Sequence, residues 1–331
     1  MKRLRTAVIG AGYLGRFHAH KYAQSPLADL VAVVDLDPNR AAAVAAETGA
    51  RPYTDFRQLL GQVDAVSVVV PTSQHYPVGR ELLDAGVHVL MEKPITAAPD
   101  DAAALVALAA SRGLILQVGH LERFNPVIQA LMERVDTPMF IEAHRLAPYS
   151  ARGIDVDVVL DLMIHDLDLM HLLVDSPVAR IDASGMRVLS EQIDIANARV
   201  AFANGCVANL TASRVSRRPE RRLRVFQKNA YLAADMCNQA LDSYRRIPAD
   251  AADRPHEIEG HRELLPKGDP LREEITAFLN SVLNGVQPRV SGVDGARALQ
   301  TALEVVRQIN HGGHARSAPQ PLAVAFRRAR S

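Results

Sequence analysis

The 331-residue chain predicts an α/β first half, a doubly wound parallel sheet, followed by an α+β second half on a largely antiparallel sheet. Three observations carry that reading. Short apolar runs alternate with helical stretches from residue 4 to about 118, the pattern of parallel strands joined by crossover helices. From about residue 138 the apolar runs lengthen, and a hairpin signal, Asn204-Gly205, separates two of them. An apolar content of 48% is that of an ordinary globular chain, long enough here for two domains and a large core.

Strands of the first half are expected near residues 4 to 9, 29 to 35, 64 to 70, 87 to 91 and 114 to 118, with helices over Pro38–Thr48, Val78–Ala85 and Pro99–Ser111. The expected division is residues 1–122 and 123–331. Strands of the second half are expected over Met139–Arg145, Ala179–Arg187, Ile195–Ala203, Cys206–Val215 and Arg222–Met236, with a helix around 155 to 174. The stretch 247 to 268 reads as a polar loop. Two amphipathic helices follow. Leu271, Ile275, Phe278, Leu279 and Val282 form one apolar face, ended by Asn284-Gly285, and Leu299, Leu303, Val306 and Ile309 form another, ended by Gly312-Gly313.

The first strand runs into Gly10-Ala11-Gly12-Tyr13-Leu14-Gly15. In such a strand-to-helix turn Gly10 takes backbone angles that other residues avoid, Gly12 lets the chain approach a pyrophosphate, and Gly15 lets helix and strand pack closely. The helix that follows aims its unpaired N–H groups at the phosphates. Asp35 closes the second strand twenty residues after Gly15, where a carboxylate accepts hydrogen bonds from the adenosine ribose. Asp37 follows, and no arginine stands directly after these acids, so a 2′-phosphate meets like charge and NAD is the expected cofactor. Arg40, five residues beyond Asp35, leaves some NADP binding in reach.

Composition excludes other classes. No apolar run approaches the roughly 18 to 20 residues of a membrane helix, and Met1-Lys2-Arg3 leads straight into the first strand, which predicts a cytoplasmic protein without membrane insertion. Cys206 and Cys237 lack C-x-x-C spacing and support neither a disulfide framework nor a cysteine zinc site. Basic residues number 38 and acidic ones 37, so no global field draws nucleic acid or anionic lipid. Local charge is less even. Arg214, Arg217, Arg218, Arg221, Arg222 and Arg224 crowd into eleven residues, either as solvated strand edges or as a grip on a substrate diphosphate. Arg327, Arg328 and Arg330 read as a frayed tail.

The stretch from Asp157 to Asp168 carries the expected chemistry. On a helix, Asp157, Asp161, His165 and Asp168 form one polar stripe on an otherwise apolar cylinder. A carboxylate one turn before an imidazole holds its tautomer and stabilises the imidazolium, which makes His165 a general base with Asp161 as its orienting acid. A metal is not expected, because no second histidine sits at ligand spacing on that face. Lys93 follows the strand Val87–Met91 at the ligand end of the sheet, where a lysine donates to a substrate oxygen as its charge changes. Pro71, Thr72 and His75 end another strand beside the expected nicotinamide and are candidate cofactor contacts, as is Glu92. The run Gln117–Pro126 leads into the second half, and its polar side chains are expected to line the cleft.

Together with Glu92-Lys93-Pro94, Val118–Pro126, Asp161–His165 and the ending Pro288–Gly295, the glycine loop resembles the glucose-fructose oxidoreductase / inositol dehydrogenase (Gfo/Idh/MocA) family over nearly the whole chain. The resemblance implies a Rossmann domain plus an open-faced sheet domain, NAD-dependent oxidation of a secondary alcohol, and catalytic roles for Lys93, Asp161 and His165. Expected cofactor contacts are then Gly10, Gly12, Tyr13, Leu14, Gly15, Asp35, Pro71, Thr72, His75, Glu92 and Lys93, and expected substrate contacts His120, Glu122, Arg123, Asp157 and His165. The open sheet face, read as broad and apolar, implies a homodimer or homotetramer. More narrowly, His120–Pro126, Arg145–Pro148, Asp155–Asp161 and Ala208–Arg214 are similar to the bacterial members that oxidise the 3-hydroxyl of UDP-N-acetylglucosamine and feed an aminotransferase of lipid A synthesis. Relatives on the same catalytic set oxidise inositols and other free sugars, and a regulatory NAD-binding protein without turnover is a third reading.

Overall fold

The structure, a computed structural model, describes residues 3–150, 156–247 and 257–312. In the first half, β1 (Leu4–Ile9), β2 (Ala28–Val34), β3 (Arg51–Tyr53), β4 (Ala65–Val68), β5 (His88–Met91) and β6 (Leu116–Val118) form one sheet in the order β3-β2-β1-β4-β5-β6. Every pairing is parallel. Crossovers run through α1 (Tyr13–Gln24), α2 (Pro38–Thr48), α3 (His75–Asp84) and α4 (Pro99–Arg112). Strand order reverses at β1 and β4, so the crevice beyond their carboxyl ends is where a doubly wound sheet binds its ligand. The expected strands are present, and β3 is an addition. It is three residues long, contains Pro52 and sits on the sheet edge, too short for any periodicity to announce it.

The chain enters the second half through α5 (Pro126–Met132). There β7 (Pro138–Leu146), β8 (Val178–Met186), β9 (Ile195–Phe202), β10 (Val207–Ser213), β11 (Glu220–Gln227), β12 (Ala230–Asp235), β13 (Ala240–Ile247) and β14 (Glu257–Leu264) make a sheet in the order β14-β13-β12-β11-β7-β10-β9-β8. All its pairings are antiparallel except β10 with β7. Two expectations are corrected here. The run Arg222–Met236 is a hairpin, turned at Asn229, whose φ of 62° is one that asparagine tolerates. Within the stretch read as a polar loop lies β14, a charged edge strand exposed along most of its length, held by its ladder to β13 rather than by a buried face that an alternating pattern would reveal.

One face of this sheet buries Ile141, Ala143, Leu210, Leu223 and Val225 against α5, α6 (Ile164–Leu173) and the widened π turn Val159–Met163 that precedes α6. The other face is not broadly apolar as expected. Its centre is polar, with Arg224 bonded to Glu142, Arg199 to Asn209 and Asn197 to Thr211, and an aromatic strip of Phe140, Phe226, Tyr231 and Tyr244 flanks it.

The last described elements are α7 (Pro270–Asn284) and α8 (Gly292–Gly312). Ile275, Phe278 and Leu279 of α7 return to the first half and pack with Leu4, Val8 and Tyr22. Helix α8 joins both cores, Leu299 contributing to the first and Ala302, Val305 and Ile309 to the second. Gly313, the terminal arginines and Asp155 lie outside the described residues.

Candidate active site

The cofactor half of the cleft is made largely by backbone. Gly10 has φ +98°, and a Cβ there would lie 2.2 Å from the Val69 carbonyl oxygen. A Cβ on Gly15 would lie 1.8 Å from the Gly10 carbonyl oxygen, so neither position accepts a larger residue without displacement. Above Gly12 there is open space, the cradle that a phosphate needs against the start of α1. Asp35 stands across from it. Its Oδ2 accepts from the Ala11 N–H at 2.8 Å and its Oδ1 from the Asp37 N–H at 2.9 Å, which fixes the carboxylate while leaving lone pairs for a ribose. Gly10, Gly12, Asp35, Pro71 and Arg40 line a cleft of about 1190 Å³. Arg40 pairs with Asp37 at 3.3 Å. These features fit a dinucleotide.

Tyr13 and Leu14 stand exposed on the first turn of α1, and Thr72 is half-buried in the turn that closes β4. His75 is sealed beneath that turn, its ring nitrogens 2.8 Å from the Pro94 carbonyl oxygen and 2.9 Å from that of Val70. Both are spent on protein, so the structure gives His75 a bracing place rather than an open one. Sequence reasoning placed it by its position at a strand end and had no sign of its burial.

Behind Lys93 lies a buried group that the sequence reading missed. His18 of α1 lies 3.2 Å from Glu92 through Nε2 and 3.1 Å from Ser67 Oγ through Nδ1. Glu92 also accepts from the Lys93 N–H at 3.1 Å. Burial pushes the Glu92 carboxyl up, but His18 and Lys93 together outweigh it and hold it below the usual range. Glu274 of α7 is fully buried close by, with no donor to either oxygen among the described residues, and burial together with the Glu92 charge raises its pKa well above normal. Its signal in sequence was an acid set beside Ile275 in the apolar stripe of α7.

In the chemical half, Lys93 reaches across from the end of β5 to the π turn. Its Nζ donates to the Asp161 carbonyl oxygen at 2.7 Å and to Asp161 Oδ1 at 3.2 Å. His165 follows in the first turn of α6. Its Nδ1 is buried and has no partner among the described residues, and its ring meets that of His120 edge to face at 6.3 Å. Burial first, then the Lys93 and Arg145 cations, hold the His165 imidazole well below its ordinary pKa. It is therefore neutral near pH 7 and able to take a proton. His120 is buried too, with both ring nitrogens unpartnered and its pKa lowered by burial.

The expected single stripe is corrected. Asp161 holds Lys93, where the sequence suggested that it orients His165. The π turn over Val159–Met163 interrupts the α-helical periodicity on which the stripe was drawn. Asp168 and Asp166 face other arginines. Arg123 binds Asp168 through two bonds, 2.8 and 2.6 Å, and Arg145 binds Asp166 through two, 2.9 and 2.8 Å, and Glu122 at 2.7 Å. Arg123 and Glu122, expected at the substrate, thus belong to buried ion networks that fasten α6 to its neighbours. Asp157 accepts from the Ile193 N–H at 3.0 Å, which ties the entry of the helix to the segment that leads into β9.

The family model described as "Oxidoreductase family, NAD-binding Rossmann fold" matches residues 4–120, and that of the GFO/IDH/MocA C-terminal domain matches residues 142–233. The chain is 42% identical over 310 residues to UDP-N-acetylglucosamine 3-dehydrogenase of Acidithiobacillus ferrooxidans, covering 92% of this chain and 97% of that one. A solved structure of that enzyme superposes with a TM-score of 0.88 over 94% of this chain and 99% of its own. Myo-inositol 2-dehydrogenase of Thermotoga maritima is 26% identical, covering 89% and 93%.

Proposed function

The chain belongs to the GFO/IDH/MocA family of oxidoreductases and is a dehydrogenase, and we propose that it oxidises the 3-hydroxyl of UDP-N-acetylglucosamine to the 3-keto sugar with NAD rather than NADP. The observation that carries the reading is the meeting of Lys93, Asp161 and His165 from two separate elements, beside the glycine loop and Asp35. Bound at Gly10, Gly12 and Asp35, NAD supplies the hydride acceptor. His165, neutral through burial and neighbouring cations, takes the hydroxyl proton. Lys93, aimed by both oxygens of Asp161 that it touches, donates to the same substrate oxygen and steadies it as its charge grows. The acids Asp35 and Asp37 oppose a 2′-phosphate. The 42% identity to an enzyme named for UDP-N-acetylglucosamine supports the substrate. On the same reading the enzyme works in the cytoplasm as a homodimer or homotetramer through the open sheet face, and delivers its keto sugar to an aminotransferase of lipid A synthesis.

Incubation of the purified protein with NAD or NADP and a panel of UDP-sugars, inositols and free hexoses tests this, with NADH absorbance as readout and a carbonyl trap to pull the uphill oxidation forward. Turnover is expected with UDP-N-acetylglucosamine and NAD. Turnover of an inositol without any UDP-sugar would replace the substrate reading with that of a cyclitol dehydrogenase.

A further inference from the structure

The six arginines between 214 and 224 do not act as one patch. Arg214 is buried, donates to the Val156 carbonyl and lies 3.7 Å from Asp194. Arg224 lies on the open sheet face with Glu142, and Arg222 lines the same small hollow. Arg217 and Arg218 are exposed between β10 and β11. Arg221 goes the other way. Strand alternation puts it on the side of the buried Leu223 and Val225, the side that carries α6 and the catalytic groups.

In the β7–β11 ladder Arg221 stands directly opposite Arg145. Like charges facing across a ladder repel, so a carboxylate between them is expected. Glu122 is that group, but its Oε1 lies 2.7 Å from Arg145 and 3.9 Å from Arg221. Arg145 also holds Asp166, the residue after His165, and is 4% exposed. Arg145 thus takes up both acids. Arg221 is left with a side chain that is 56% exposed, yet its charge reaches His165, whose pKa it helps to lower.

We propose that Arg221 binds the diphosphate of a nucleotide-sugar substrate, an inference that rests on the UDP-sugar reading above. A diphosphate stands off from the reacting carbon by the width of a sugar ring, so its partner belongs at the rim rather than beside Lys93 and His165. It must also keep donors that no buried acid has consumed. Among the arginines nearest the catalytic helix, Arg123 and Arg145 fail that condition and Arg221 meets it. The planar fork of a guanidinium suits two phosphate oxygens at once.

Titration of the full-length protein and its Arg221→Gln and Arg221→Lys variants with UDP, with NAD titrated separately, tests the subsite. Arg221→Gln is expected to weaken UDP binding by about 10-fold or more and to raise KM for UDP-N-acetylglucosamine in step, with kcat changed less than about 3-fold. The NAD affinity and unfolding temperature stay as in the wild type, Arg221→Lys recovers part of the loss, and added salt weakens UDP less in the glutamine variant than in the wild type. If Arg221→Gln fails to fold, Arg221→Lys carries the test, with weaker UDP binding at unchanged NAD affinity expected. UDP binding equal in wild type and variants would overturn the subsite while leaving the UDP-sugar reading in place. A wild type that binds no UDP and turns over no UDP-sugar would remove both.

Discussion

The two halves of the cleft are built by different means. On the cofactor side the surface is main chain: glycines that admit no Cβ, a helix start, and a carboxylate pinned by two backbone N–H groups. The chemical side depends on side chains, with Lys93 reaching from the end of β5 to the carbonyl and the carboxylate of Asp161, and His165 left with a ring nitrogen unpartnered among the described residues. The difference teaches where function resides in each. Backbone fixes a shape, whereas the side-chain half holds titratable groups to which the proposed function gives the proton transfer. Substitutions in the two halves are therefore expected to separate chemistry from binding.

The largest effect is expected in the chemical half. His165→Ala or Lys93→Met lowers kcat by about 10²-fold or more while NAD affinity, measured by titration, stays within about 2-fold, because acid-base groups act mainly in the transition state. Loss of NAD binding in either variant would erase the division between halves. Next comes Asp161→Asn, for which a fall in kcat of about 10-fold is expected. With its carboxylate gone, the Lys93 cation acts on His165 unopposed. The acid limb of kcat/KM, already below the ordinary histidine value of about 6.5, moves further down the pH scale. An unchanged or upward-moving acid limb would show that the Asp161 carboxylate does not offset the Lys93 charge at His165.

On the cofactor side, Asp35→Ala is expected to narrow the preference for NAD over NADP by roughly 10-fold in kcat/KM, with the ratio of the two cofactors as the measurement. An unchanged ratio would show that Asp35 does not read the ribose. The smallest effect lies behind both halves. Glu274 has its folded pKa raised above the unfolded value near 4.5, so the protonated acid suits the fold, and stability is lost as pH rises through that range and beyond. Glu274→Gln keeps the shape without the titration. Calorimetry is expected to show a melting temperature raised by a few degrees near pH 8 and nearly unchanged near pH 5. A variant destabilised equally at both would mean that the carboxyl is bound by something the glutamine cannot replace.

Much of this was legible in the sequence because of how it is encoded. The strand-glycine-helix turn and Asp35 are local, and the apolar periods of β1, β2, β4 and β5 survive because those strands are buried on both faces. Lys93, Asp161 and His165 were each visible, but their partnership was not. It depends on a π turn that no residue pattern announced and on Arg145 and Arg123 drawing Asp166 and Asp168 the other way. Glu122, Arg123 and His75 looked like site residues because polar side chains at a strand end usually face ligand, yet here they hold the scaffold. Strand β14 was hidden for the opposite reason, since an exposed charged edge carries no apolar period.

On the proposed function, His165 takes the proton of the 3-hydroxyl of a UDP-linked sugar, Lys93 held by Asp161 steadies the oxygen, and the hydride on carbon 3 would pass directly to NAD. Incubation with UDP-N-acetylglucosamine deuterated at carbon 3, followed by mass analysis of the NADH formed, tests it most directly. NADH carrying one deuterium is expected, and none when the label sits at carbon 4 of the sugar. Unlabelled NADH from the carbon-3 substrate, or label arriving from carbon 4, would contradict it.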